Sequence, residues 1–133
     1  QWNDSQFAGF SSAKPWLPIN DNHTKINVDS EKNTNDSLLN MHRRLLKVRQ
    51  ILPILKNGNL SIAQNTGNGF ILGLKRELSG QRAYVFINFA DAEQSFSIPE
   101  NAKIIASTHS VDLITAENLQ MTIPGYYGVL LIA

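Results

Sequence analysis

The sequence of 133 residues lacks cysteine, long apolar runs and any sizeable net charge, and each absence excludes a class of protein. Without cysteine the chain can form no disulfide, no thiolate nucleophile and no cysteine-ligated zinc site. No apolar stretch approaches the roughly 18 residues that span a bilayer, and the first residues do not have the pattern of a signal peptide. Twelve basic and 11 acidic residues give a formal charge of +1, which is too weak a field to attract nucleic acid. We therefore expect no nucleic-acid or membrane partner, and we favour the cytoplasm over secretion.

What remains is the composition of an ordinary globular domain, with 42% hydrophobic and 17% charged residues. A chain of this length can bury a real core. The sequence begins with glutamine instead of methionine, and we expect a processed product or a piece of a longer protein.

The first 34 residues have neither helical nor strand periodicity, and they are rich in asparagine, serine, glycine and proline. An irregular segment of this length is uncommon inside a compact domain, and it usually belongs to a functional loop or packs on a larger body. The segment nevertheless carries five large apolar side chains: Trp2, Phe7, Phe10, Trp16 and Leu17.

An amphipathic helix is predicted next, starting near Asn35 and Asp36, either of which can accept hydrogen bonds from the first free backbone amides. Pro53 should end it by forcing Leu52 out of the helical region. The apolar positions recur with helical spacing at Leu38, Met41, Leu45, Val48 and Leu52.

After Gly58 the period changes to two, and the pattern predicts a β-sandwich with Greek-key connections. Ser79 with Gly80, and Pro124 with Gly125, should form tight turns. Two runs, AYVFINF and YGVLLIA, are apolar on both faces and are typical of central strands covered by a second sheet and by a neighbouring body. Seven strands are predicted: Asn59–Gln64, Gly69–Leu78, Gln81–Phe89, Gln94–Ile98, Lys103–Ser107, Leu119–Ile123 and Tyr126–Ile132.

No residue pattern in this chain is typical of a catalytic or metal site. The histidines His23, His42 and His109 have no motif around them and no metal-ligand spacing, so we interpret them as surface or structural residues. Ser11 and Ser12 follow a glycine but lack the nucleophile-elbow pattern.

The remaining polar clusters also have simpler interpretations. The run NTGNG from Asn65 has too few oxygen donors for a calcium loop and predicts a turn. Asp4, Asp91 and Asp112 lie in apparent turns, and spacing singles out no pair of carboxylates for acid and base catalysis. Four cations are expected on a solvated or partner-facing helix surface: Arg43, Arg44, Lys47 and Arg49.

Several short motifs occur in a fixed order along the chain: Gln1-Trp2-Asn3, Ala8-Gly9-Phe10, Pro15-Trp16-Leu17-Pro18-Ile19-Asn20 and Ile26-Asn27-Val28. In this order they resemble the segment after the last barrel strand in α-glucosidases of glycoside hydrolase family 13, the α-amylase superfamily. The stretch DSLLNMHRRLLKVRQILPIL is similar to the final barrel helix of that group, with His42 where an aromatic residue is common. The stretches VFINFAD and PGYYGVLLIA resemble its C-terminal β-sandwich. Asn3 departs from the usual aspartate.

The resemblance implies that residues 1–55 are the tail of a (β/α)8 catalytic barrel and that residues 56–133 are the sandwich domain. The parent enzyme would be a retaining hydrolase of terminal α-linked glucose, such as an oligo-1,6-glucosidase. Its three catalytic carboxylates would precede the matched segment, so this chain is assigned no catalytic, cofactor or metal residue, and its substrate-binding residues are unidentified. Its implied partner is the barrel of the same enzyme, through which it would meet an oligosaccharide, and alone it should be inactive.

Two alternatives stay open. The chain is a stand-alone carbohydrate-binding sandwich, or it pairs with a separately encoded barrel to restore activity. The five apolar side chains of the opening segment would then pack on the sandwich of this same chain or on that second protein.

Overall fold

Two antiparallel β-sheets make up most of the protein after residue 58, in a computed structural model that describes residues 1–63 and 69–133. One sheet has five strands in the order β1-β2-β3-β8-β5, and the other has three in the order β4-β7-β6. The predicted mainly β fold is therefore confirmed. The strand bounds are β1 Asn59–Ile62, β2 Ile71–Leu78, β3 Gln81–Asn88, β4 Gln94–Ser97, β5 Lys103–Ser107, β6 Thr115–Glu117, β7 Gln120–Ile123 and β8 Gly128–Ile132.

The main core lies between the two sheets. Phe86 on β3 and Phe96 on β4 meet there, with ring centroids 4.3 Å apart. Met121, Ile123 and Leu131 are almost completely buried beside them. Strands β3 and β8 are neighbours at the centre of the five-stranded sheet, which confirms that the two fully apolar runs form central strands.

A second, smaller core covers the opposite face of those central strands. The short helix α3, Ile54–Asn57, places Ile54 and Leu55 against Ala83 and Leu130. Val48, near the end of the preceding helix, packs on the same cluster. The second apolar face of the sheet is thus buried by a helical turn that periodicity did not predict, because four residues are too few to show a period.

The turns explain where the strands begin and end. Ser79 and Gly80 both have positive φ, 49° and 82°, and they join β2 to β3 as the predicted two-residue hairpin. Asn118 and Leu119 form another such turn, with φ of 51° and 62°. Leu119 therefore lies outside β7, contrary to prediction, and the unpredicted strand β6 precedes this turn.

The connection through Pro124 and Gly125 joins strands of different sheets, β7 and β8, and is not a hairpin. Tyr126 has a positive φ of 52°, and its amide donates to the carbonyl of Ala90. The last strand consequently begins at Gly128 and not at the predicted Tyr126. At the other end of the sheet, β1 stops at Ile62, so its predicted extension to Gln64 and most of the predicted NTGNG turn lie outside the described residues.

Before the sheets, the chain forms α1, Val28–Glu31, and α2, Leu38–Ile51, preceded by a single 3₁₀ turn at Asp21–Thr24. The predicted start of the long helix at Asn35 or Asp36 is wrong. The Ser37 hydroxyl accepts the amide of Asn40 at 3.2 Å, and the Glu31 carboxylate accepts that of Leu39 at 3.0 Å. Two acceptors from outside the predicted cap therefore satisfy the free amides of α2.

The helix α2 ends at Ile51, before Pro53, as predicted. Two compact units divide the chain, Gln1–Leu46 and Lys47–Ala133. The predicted division between residues 55 and 56, which separates a barrel tail from a sandwich domain, stays a prediction. None of the helices in residues 1–63 and 69–133 is long and apolar enough to cross a membrane.

Candidate functional site

The opening segment of the chain is irregular but tightly hydrogen-bonded. The carbonyls of Gln1 and Trp2 accept the amides of Val28 and Asp29 at 3.1 and 3.0 Å. The Gln1 side chain donates to the Asn22 side chain at 2.8 Å, and also to the carbonyl of Ile26. These contacts hold the first two residues against the start of α1, and they give a structural reason for the glutamine side chain of the Gln-Trp motif.

The Ala-Gly pair of the next motif forms a turn that a larger residue would disrupt. Ala8 is completely buried with φ of 50°, and its carbonyl accepts the Trp2 amide at 2.8 Å. Gly9 has φ of 73°, and a Cβ placed there would lie 2.9 Å from the Cβ of Trp2. A side chain at Gly9 would therefore displace the indole that the turn supports.

Asn27 is the buried polar centre of this unit. Its side-chain oxygen accepts the Ser30 amide at 2.9 Å, while the Ser30 hydroxyl accepts the Asn27 amide at 3.2 Å, which completes a capping box for α1. Its side-chain nitrogen donates to the His23 carbonyl at 2.8 Å. This role was not predicted, although the spacing of Asn27 and Ser30 is a recognisable capping signal.

Asn3, at the position where the α-glucosidases that the motifs resemble usually have aspartate, forms a turn. Its side-chain oxygen accepts the Ser5 amide at 3.1 Å. A carboxylate would offer an oxygen to the same amide, and Asn3 thus keeps this contact of the motif without the charge.

Four of the five large apolar side chains of this segment are mostly exposed. Trp16 is 91% exposed, and Trp2, Phe10 and Leu17 are each between 57% and 58% exposed, while Phe7 is half-buried. The alternative in which these side chains pack on the sandwich of this same chain stays a prediction. We call these four exposed side chains, Trp2, Phe10, Trp16 and Leu17, the aromatic patch.

The histidines that the sequence analysis considered lie far apart in the chain and make ordinary contacts. Nδ1 of His23 lies 3.1 Å from the Asn20 carbonyl oxygen, to which it can only donate, and His42 is exposed on α2. His109 lies against Tyr127 with ring centroids 5.6 Å apart. Among the residues that the structure describes, no three histidine or acidic side chains are grouped to hold a metal ion.

The other candidates are also exposed and locally bonded. Asp4, Asp91 and Asp112 are exposed, and Asp112 accepts the Ser110 hydroxyl at 3.1 Å. The Ser11 hydroxyl accepts the amide of Ala13 at 3.0 Å, as in a simple serine turn.

Three cations of α2 donate to oxygens within or beside the helix. Arg44 donates to the carbonyl of Asn35 at 2.6 Å, and Arg49 donates to that of Leu55. Arg43 donates to the Asn40 side chain at 3.2 Å. Among the described residues, the candidates from the sequence are thus not brought together into a set of side chains suited to catalysis.

Comparison with known proteins agrees with the motifs. Residues 1–58 match the alpha-amylase catalytic-domain family. An α-glucosidase from Candida albicans is 31% identical over 115 residues, which cover 84% of this chain and 20% of that protein. An oligo-1,6-glucosidase from Parageobacillus thermoglucosidasius is 26% identical over 117 residues, which cover 84% of this chain and 21% of that protein. The chain thus spans about a fifth of the length of the curated relatives it matches.

Solved structures give the same answer for the fold. The trehalulose synthase of Pseudomonas mesoacidophila superimposes with a TM-score of 0.87 at 26% identity, over 99% of this chain and 24% of that one. The isomaltulose synthase of a Klebsiella species superimposes with a TM-score of 0.84, also at 26% identity and over the same shares. The resemblance seen in the motifs is confirmed, and residues 1–58 belong to the α-amylase family.

Proposed function

We propose that this chain is the C-terminal structural portion of an α-glucosidase that hydrolyses terminal α-linked glucose from oligosaccharides. One observation carries the proposal: the part of the chain that matches the catalytic-domain family is also the part that exposes the aromatic patch. A surface of this kind fits the side of a catalytic barrel, which is the partner that we propose for it.

The chemistry of the reaction decides which part of the enzyme is catalytic and which part is supporting. Retaining glycosidases use two carboxyl groups about 5 Å apart, one as nucleophile and one as acid and base. The acidic residues considered in this chain lie singly in exposed turns, and Asp29 is paired with Lys32 at 2.7 Å. We therefore assign the catalytic carboxylates to the barrel and a supporting role to this chain.

The supporting role has an energetic basis. Burying a large apolar side chain contributes about 1.5–3 kcal/mol, so the four members of the aromatic patch would hold the opening loop firmly on a barrel. Leu38 and Leu46 of α2 are more than half exposed and lie in the same matched segment, so they extend the apolar surface. The sandwich in turn holds the end of that helix through Val48 and α3.

A chimera tests the proposal. This chain replaces the matching 117 residues of the Parageobacillus thermoglucosidasius oligo-1,6-glucosidase, and glucose release from isomaltose is measured. We expect the chimera to release glucose and the 133-residue chain alone to release none. A folded but inactive chimera, or hydrolysis by the chain alone, would contradict the proposal.

Matched variants locate the contact. Phe10→Ser and Phe89→Ser remove the same ring from positions of similar exposure, 58% and 60%. Only Phe10 lies in the segment that matches the catalytic domain, so Phe10→Ser should lower the melting temperature of the chimera and Phe89→Ser should leave it nearly unchanged. Equal effects of the two variants would remove the support for a barrel contact through the aromatic patch.

A further inference from the structure

The two sheets differ in width, and this difference leaves part of one inner face uncovered. Neighbouring strands are about 4.8 Å apart, so three strands facing five leave a width of roughly 10 Å without an opposite strand. The uncovered part lies at β1, whose four residues are all exposed. Between this end of the five-stranded sheet and the end of β4 is a half-open groove of about 580 Å³.

The floor of the groove is a row of polar side chains. Ser61 on β1 lies directly opposite Lys75 on β2, which in turn lies directly opposite Tyr84 on β3. Residues paired in this way point to the same face of a sheet, and Tyr84 belongs to the core cluster between the sheets. The row therefore lies on the inner face, where the rest of the sheet presents apolar side chains.

Tyr84 is the most unusual member of this row. Its side chain is nine-tenths buried, with 8% exposure, and its ring is parallel to that of Phe86 at 6.2 Å. Its hydroxyl makes no hydrogen bond with any residue in the described part of the chain. Because no fully buried side-chain oxygen there lacks a partner, the hydroxyl oxygen of Tyr84 is accessible to solvent. A buried tyrosine normally gives its hydroxyl a partner, so a hydroxyl free at the floor of a groove is available to a ligand.

Lys75 is the charged residue in the lining of the groove. Its ammonium lies 3.2 Å from the carboxylate of Glu77, which is outside the lining and offsets part of the charge. Ser97 on the opposite wall accepts a hydrogen bond from the Gln120 amide at 2.8 Å, and its own proton is left to donate. Pro99 adds an apolar surface to that wall.

Hydroxyl groups and one ion-paired ammonium beside an apolar wall suit a polyhydroxylated ligand with apolar C–H faces. The volume of the groove falls in the range of about 300–1,000 Å³ typical of small-ligand sites. We propose that the groove is a non-catalytic binding site for a short neutral oligosaccharide, held by Tyr84, Lys75 and Ser61. That its sugars are α-linked glucose rests on the proposed function; that the groove binds a sugar does not.

Titration of the 133-residue chain with maltotriose, isomaltotriose and cellotriose, followed by amide chemical shifts, tests this site. We expect saturable binding with the largest shifts at residues of β1, β2 and the end of β4. Tyr84→Phe removes one hydroxyl and keeps the ring in the core, and it should weaken binding roughly twofold to tenfold. Tyr126→Phe removes a hydroxyl from an exposed turn and should leave the affinity unchanged.

Lys75→Gln gives a second, independent variant, and thermal melts establish that each variant is folded. It should weaken binding at least as much as Tyr84→Phe, because hydrogen bonds from a charged donor are the stronger ones. Equal binding of all three sugars, with loss in Tyr84→Phe, would support the groove while counting against the α-glucosidase assignment. No saturable binding, or binding that Tyr84→Phe and Lys75→Gln leave unchanged, would overturn the inference.

Discussion

Asn88 gives the sharpest test of how the sandwich is held together. It ends β3, it is 1% exposed, and its side chain connects two loop segments. Its side-chain nitrogen donates to the carbonyls of Ala92 and Pro124, both at 2.8 Å, and its side-chain oxygen accepts the amide of Ala90 at 2.9 Å. The loop after β3 and the connection from β7 to β8 are thus joined through one side chain.

The cost of Asn88→Ala follows from these contacts. A typical hydrogen bond contributes about 0.5–1.5 kcal/mol, and a buried group left without a partner costs about 1–3 kcal/mol. Three bonds are lost at once and at least the Ala90 amide is left in a buried position, so we expect a loss of about 3–5 kcal/mol. That is a large part of the roughly 5–15 kcal/mol that stabilises a domain of this kind.

Urea unfolding followed by far-ultraviolet circular dichroism measures the effect on the sheets. With a slope of about 2 kcal/mol per molar urea, the midpoint for Asn88→Ala should fall by roughly 2 M. Asn59→Ala is the matched control, because Asn59 is exposed on the edge strand β1, and it should change stability by less than about 0.5 kcal/mol. If the two variants have similar midpoints, the hydrogen bonds of Asn88 do not hold the connections.

Two further predictions concern the same end of the sandwich. Gly125→Ala would place a Cβ only 2.1 Å from the backbone oxygen of Asp91, so the melting temperature should fall sharply. Gly69→Ala is the control, because a Cβ there would have nothing within 4 Å, and it should be nearly neutral. A mild effect of Gly125→Ala would show that the backbone at Gly125 moves freely. Tyr127→Phe removes a buried hydroxyl that donates to the carbonyl of Ser110 at 2.7 Å, so it should lower the free energy of unfolding in urea by about 1 kcal/mol. An equal loss in Tyr126→Phe would argue against that hydrogen bond as the cause.

The strands were predictable because alternation and turn residues are local signals. Ser79 and Gly80 supply the two positive φ values that a two-residue hairpin loop needs. The turn and the pairing of β2 with β3 are therefore readable from adjacent residues. Pro53 ends a helix for an equally local reason. The start of α2 was not predictable in this way, since the acceptor on Glu31 comes from another helix.

Strand pairing was beyond the sequence, because it depends on contacts between distant residues. β3 pairs with β8, which lies about 40 residues later in the chain, and β7 lies in the other sheet although only four residues separate it from β8. The groove follows from this pairing alone. Nothing in the local pattern of Lys75 or Tyr84 shows that they face each other on an uncovered inner face.

By itself the sequence determined the family, the mainly β fold and the presence of large apolar side chains in a loop without periodicity. Motifs and periods survive in a linear chain, since each depends on neighbouring residues. Only the tertiary structure decided that the aromatic patch stays exposed, that Asn88 joins two connections and that Tyr84 has a free hydroxyl at the floor of a groove. The exposure of a side chain and its hydrogen bonds depend on which other residues surround it, and those surroundings form only when distant segments pack together.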